Sequence, residues 1–144
     1  MGHEDAGHYA AKHPEGTRPD PEIKEKLQQK IVDGKVTCAA AHTIAVELQV
    51  APEKVGIAID LMEARIQKCQ LGLFGYQPEK RIVKPAATPA SAVETAIDAH
   101  LVDKRIACKD CWEIADLLGK KKMEISSVCE SMGIKVNKCQ LGAF

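Results

Sequence analysis

The residues of this 144-residue chain whose types and spacing can do chemistry are its cysteines and one run of lysines. Cys108 and Cys111 are separated by two residues at the start of a helical pattern, where backbone N–H groups lower a thiol's pKa and favour redox or metal chemistry. Cys129 and Cys139 are available as third and fourth ligands. A zinc site of the usual kind, however, needs two closely spaced ligand pairs, and here only one exists. A thiol or metal sensor on Cys108 and Cys111 is therefore kept as an alternative, with structural thiols as the first reading and no cofactor expected. Lys120, Lys121 and Lys122 precede a helical stretch bearing Ser126, Ser127 and Ser131, a set that either meets phosphate or forms a solvated corner. His3, His8 and His13 recur every five residues, which does not line one helical face; a solvated tail is the simpler reading. No nucleophile–base arrangement, phosphate-cradling loop or carboxylate pair stands out, so an enzyme is the least supported class.

The elements that position these groups come as a pair. Lys68-Cys69-Gln70-Leu71-Gly72-Leu73-Phe74 returns as Lys138-Cys139-Gln140-Leu141-Gly142-Ala143-Phe144. A shift of 70 positions also superposes Val32/Val102, Asp33/Asp103, Cys38/Cys108, Ile44/Ile114, Ala45/Ala115, Leu48/Leu118 and Met62/Met132 without a gap. The chain is thus two copies of one supersecondary unit. Each copy is roughly 50 residues, a size at which burial is marginal, so the copies should pack on each other or on a second chain. Aromatic residues are only 3% of the chain, which leaves Ile, Leu, Val, Ala and Met to build the cores. Net charge is zero overall and in each copy, with seven basic and seven acidic residues in 22–76 and eight of each in 93–144. This balance removes the simplest argument for a polyanionic partner. No apolar run is long enough to span a membrane and no secretion leader is visible, so a cytoplasmic protein with thiols rather than disulfides is expected.

The expected organisation is a flexible arm over 1–21, a first repeat over 22–76, a Pro/Ala linker over 77–91 and a second repeat over 92–144. Pro21 opens a helix carrying Ile23, Leu27 and Ile31 on one side and stopping at Asp33-Gly34. A short β-like segment follows, with Thr37 as N-cap of a second helix over Ala39 to Leu48. Pro52 opens a third helix with Val55, Ile59 and Met62 inward, and Ile66 to Leu71 reads as a strand ended by glycines. Lys80 to Lys84 has β character and is a candidate return strand. In the second copy Ser91 is the expected N-cap, Gly119 ends the second helix, and Ile134 to Leu141 forms the terminal strand.

The fold class expected is mainly α with short β-strands, in two tandem three-helix units. Ile44-Ala45-x-x-Leu48-x-Val50 and Val55-x-x-x-Ile59-x-x-Met62, flanked by strands, resemble the winged helix-turn-helix family. That resemblance implies a third helix in the major groove, a wing on the phosphate backbone and a transcription regulator binding double-stranded DNA. It assigns Lys120, Lys121, Lys122, Lys80, Arg81 and Lys84 to phosphates and Ser126 and Ser127 to base edges. Lys120 in place of the corner hydrophobe Val50 departs from the family pattern, and the second wing reads as truncated at Phe144.

The third helix of the first copy is a poor phosphate binder, because Glu53, Asp60 and Glu63 lie among its expected exposed residues. Ile57 and Leu61 there form an apolar strip suited to a protein partner or to self-association. The alternative function is accordingly a winged-helix association module that binds no DNA. Under that reading the terminal Cys-Gln-Leu-Gly strand pairs across an internal pseudo-two-fold or between subunits, satisfying its backbone. His42, which aligns with Trp112, reads as a packing position, and His100 has no evident partner.

Overall fold

The computed structural model describes residues 9–144. His3 and His8 lie outside the described residues. The fold is mainly helical, with six α-helices and four three-residue strands among the described residues. A 3₁₀ turn over Tyr9–Lys12 leads into α1 (Pro21–Lys30), β1 (Lys35–Thr37), α2 (Cys38–Leu48), α3 (Pro52–Leu61) and β2 (Arg65–Gln67). The second copy repeats the order as α4 (Ser91–His100), β3 (Arg105–Ala107), α5 (Cys108–Leu118), α6 (Lys122–Met132) and β4 (Lys135–Asn137). No helix among these residues is long and apolar enough to cross a membrane.

Local chemistry accounts for the helix ends. Asp20 Oδ1 accepts from the Glu22 and Ile23 amides at 2.8 and 3.3 Å, with Pro21 supplying the first residue of α1. Thr37 Oγ1 accepts from the Ala40 amide at 3.0 Å and caps α2 as expected. Gly119 ends α5 at φ 63°, a conformation that costs glycine nothing. Its counterpart Gln49 ends α2 at φ 54° and must bear the left-handed conformation with a side chain. The expected cap Ser91 is instead the first residue of α4, whose cap position is Ala90. The helix α1 stops at Lys30, and Asp33-Gly34 form the tip of a tight turn closed by Val32 and Lys35.

The strands depart from the expected pattern. The extended run read as Ile66 to Leu71 covers only Arg65–Gln67, and that read as Ile134 to Leu141 covers only Lys135–Asn137. Lys68 and Lys138 adopt φ 52° and 50°, which turns the chain out of extended geometry after three residues. The echoed Cys-Gln-Leu-Gly pieces that follow are turns. Both sheets are two-stranded and parallel, β1 with β2 and β3 with β4, in registers Val36 to Ile66 and Ile106 to Val136. Parallel pairing follows from the helical hairpin between the two strands, since a crossover returns the chain in its original direction. No return strand forms over Lys80 to Lys84. There the amides of Ile82 and Val83 both donate to the Gly72 carbonyl, and Val83 is buried.

The chain divides into two compact units that do not follow the repeat boundaries. The first runs to Cys69 and includes Gln140–Phe144; the second is Gln70–Cys139. The core of the first contains Ile23, Leu27, Val36, Ile44, Val55, Ile59 and Leu141. The core of the second contains Val93, Ile97, Ile106, Ile114, Ile125, Cys129 and Leu71, the same places 70 residues on, or back for Leu71. From Gln70 and from Gln140 onward, each echoed segment therefore belongs to the unit formed by the other copy's helices. These compact units change over at Cys69 and Cys139, where the repeats were expected to end at 76 and 144. The reason is burial: Leu71 and Leu141 are 0% and 1% exposed, and each completes a core that its own repeat's helices do not supply.

Candidate functional site

The third helix of each unit is where function was expected, and in both it is met by other parts of the same unit. In the first unit, α3 carries Gly56 at the point where the Leu141 backbone passes; a Cβ at Gly56 would overlap the Leu141 carbonyl. Absence of a side chain is what lets the two backbones approach so closely. The stretch expected to be a flexible arm lies on the adjoining face. The Tyr9 and Ala10 amides each donate to a Glu63 carboxylate oxygen at 2.9 Å. His13 Nε2 and Lys12 Nζ lie 2.8 and 3.1 Å from Asp60 Oδ2, and Lys12 Nζ also donates to the Gly142 carbonyl at 3.0 Å. Asp60 is only 5% exposed, so the Lys12 ammonium and the His13 ring nitrogen partner a carboxylate that water scarcely reaches. Two of the three acidic groups that made α3 a poor phosphate binder, Asp60 and Glu63, thus have partners within the unit.

The second unit solves the same problem with other residues. Ser126, at the position of Gly56, is 1% exposed, and its hydroxyl lies 2.6 Å from the Leu71 carbonyl and 3.1 Å from that of Met123. Its reading as an outward-facing base contact is corrected: the hydroxyl holds the incoming segment. Arg81 forms an ion pair with Glu130, the counterpart of Asp60, and the Ala86 amide donates to the Ser127 carbonyl at 3.0 Å. The stretch before α4 therefore packs along α6 as the stretch before α1 packs along α3.

The remaining predicted site residues separate into engaged and open groups. Lys122 Nζ lies 4.5 Å from the centroid of the Trp112 ring, a cation–π geometry. Lys84 sits 3.8 Å from Glu79, both exposed. Lys80, Lys120 and Lys121 are exposed and have no ion-pair partner within 4.0 Å among the described residues. Ser127 is half-buried. Ile57 and Leu61, expected as an open apolar strip, are half-buried as well.

The cysteines do not come together as the alternative sensor centre among the described residues. Cys38, Cys69, Cys108, Cys111 and Cys129 are all buried, and none of the six cysteines forms a disulfide. Hydrogen bonding to Cys129, reinforced by burial, pushes the Cys111 thiol up, while the same bond pulls Cys129 down. Cys111 is therefore a protonated donor rather than the thiolate expected at a helix start. No three thiols bring their sulfurs to within ligand distance of one another among the described residues; the group of potential ligands that does form is His100, Asp110 and Glu113. That group escaped sequence reasoning because its members span a helix, a turn, a strand and a second helix.

Comparison with known proteins finds no matching family model, no matching curated protein and no matching solved structure.

Proposed function

We propose that this chain is a non-enzymatic association module of two winged-helix-like units, in which the third helix grips a peptide segment instead of a DNA groove. The observation that carries this reading is the seating of Leu141 against Gly56, matched by the Leu71 carbonyl on Ser126. A surface that accepts Leu-Gly-x-Phe from its own chain accepts the identical segment from a second copy, so exchange of residues 138–144 between chains is the mode of association. Lys80, Lys120 and Lys121 favour a second reading, a duplex-binding regulator, since they are exposed cations. That reading predicts affinity for random-sequence duplex that falls steeply with salt.

The deciding experiment uses a chain lacking 138–144 and the synthetic peptide Lys-Cys-Gln-Leu-Gly-Ala-Phe. Under the association reading the truncated chain melts at lower temperature, and added peptide binds one to one and restores the melting point. A truncated chain of unchanged mass and melting temperature that ignores the peptide would overturn it. Duplex binding at low salt that is lost in K120A/K121A would favour the second reading.

A further inference from the structure

His100 is the last residue of α4, and Asp110 and Glu113 lie in the first turns of α5, three residues apart and so on one face. One ligand atom from each of the three lies within 4.8 Å of the others. Each residue alone is well placed for its helix end, a carboxylate near an N-terminus and an imidazole near a C-terminus. Their convergence would favour a cation, because two carboxylates this close repel one another and a bound ion removes that repulsion. The lysine at hand offsets little: Lys109 Nζ is 4.0 Å from Glu113, and both side chains are more than half exposed.

The imidazole is also set for ligation. His100 Nδ1 lies 2.8 Å from the Ala96 carbonyl, which has no proton to give, so Nδ1–H is the donor and Nε2 is the nitrogen through which a neutral ring can ligate. A backbone carbonyl holding one ring nitrogen while the other ligates is the usual support of a metal-bound histidine. The first copy supplies a contrast, since Lys30, Ala40 and Thr43 stand at the three equivalent positions. Around them the buried positions are kept, Ile23/Val93, Leu27/Ile97 and Ile44/Ile114. The apolar frame was retained while all three surface positions differ in donor character.

We infer that His100, Asp110 and Glu113 form a binding site for a divalent first-row transition-metal ion that ties the end of α4 to the start of α5. One nitrogen and two carboxylate oxygens with open positions suit Mn²⁺, Co²⁺ or Zn²⁺; calcium and magnesium prefer all-oxygen sets, and copper(I) prefers sulfur.

The test is titration of the full chain, stripped with chelator, with MnCl₂ while amide resonances are followed by NMR. Mn²⁺ is chosen because it avoids thiolates and broadens signals near its site. The expected result is saturable broadening at one equivalent, centred on residues 96–113. H100A and D110N should each weaken it about tenfold or more, with helical circular dichroism unchanged. A site that survives both substitutions would overturn the inference. So would broadening centred on the N-terminal histidines or the cysteines, or none at several equivalents.

Discussion

Gly56 in α3 and Ser126 in α6 occupy the same place in the repeat and receive the same kind of segment, yet they hold it by different means. In the first unit the contact is steric: backbone lies against backbone, and affinity comes from the close approach and from Leu141 filling the core. In the second a hydroxyl fills the space and bonds the Leu71 carbonyl. The same division runs through the covering stretches, where Lys12 and His13 meet Asp60 in one unit and Arg81 meets Glu130 in the other. The place of the contact was kept while its chemistry diverged. Such divergence is tolerated because a buried carbonyl needs either a hydrogen-bond partner or water, and either unit's solution leaves the leucine buried.

The strongest way to break this comparison is to empty the leucine pockets one at a time. Leu141→Ala should destabilise the first unit and Leu71→Ala the second, each by about 2–5 kcal/mol. Hydrogen exchange would then show protection lost first in α1–α3 for L141A and first in α4–α6 for L71A. Protection lost in the unit that precedes each leucine in sequence would show that the segments belong to their own repeats.

A sharper distinction comes from the gripping residues themselves. Gly56→Ala places a methyl group on the Leu141 carbonyl and should cost about 1–3 kcal/mol through overpacking. Ser126→Ala only withdraws a hydrogen bond and should cost about 1 kcal/mol. Urea midpoints measure both. A harmless G56A would mean that the approach at α3 is looser than the structure has it.

The smallest effect concerns Lys26 and Glu47, an exposed pair 2.8 Å apart whose counterparts are Ala96 and Leu117. Their hydrogen bond lowers the Glu47 carboxyl and raises the Lys26 ammonium. The contribution from Glu47 is therefore present above the ordinary carboxylate range and lost as pH falls through it. The contribution from Lys26 is present below the ordinary lysine range and lost as pH rises past it. Because both groups are in water, K26A should lower thermal stability only marginally at neutral pH, and the difference should vanish in high salt.

Several features were legible before any coordinates. Periodic Ile23/Leu27, Ile44/Ala45/Leu48 and Val55/Ile59 report helices because burial of one helical face is a local property with a fixed period. Thr37 and Gly119 mark helix ends for equally local reasons. The turn at Lys68 and Lys138 was not legible, because lysine carries no sign that it will take a positive φ. The role of Ser126 was misread because a serine on a helix surface and a serine facing an incoming carbonyl have the same sequence neighbours.

By itself the sequence determined that there are two like modules, where their helices fall and which faces are apolar, all consequences of interactions within a few residues or of exact repetition. Only the tertiary structure decided that β1 pairs parallel with β2, that each echoed Leu-Gly segment completes the other copy's core, and that the stretch from Tyr9 to His13 covers Glu63 and Asp60. Those outcomes depend on which distant groups bury one another most completely. Two nearly identical segments competing for two nearly identical pockets leave no trace of that choice in the order of the residues.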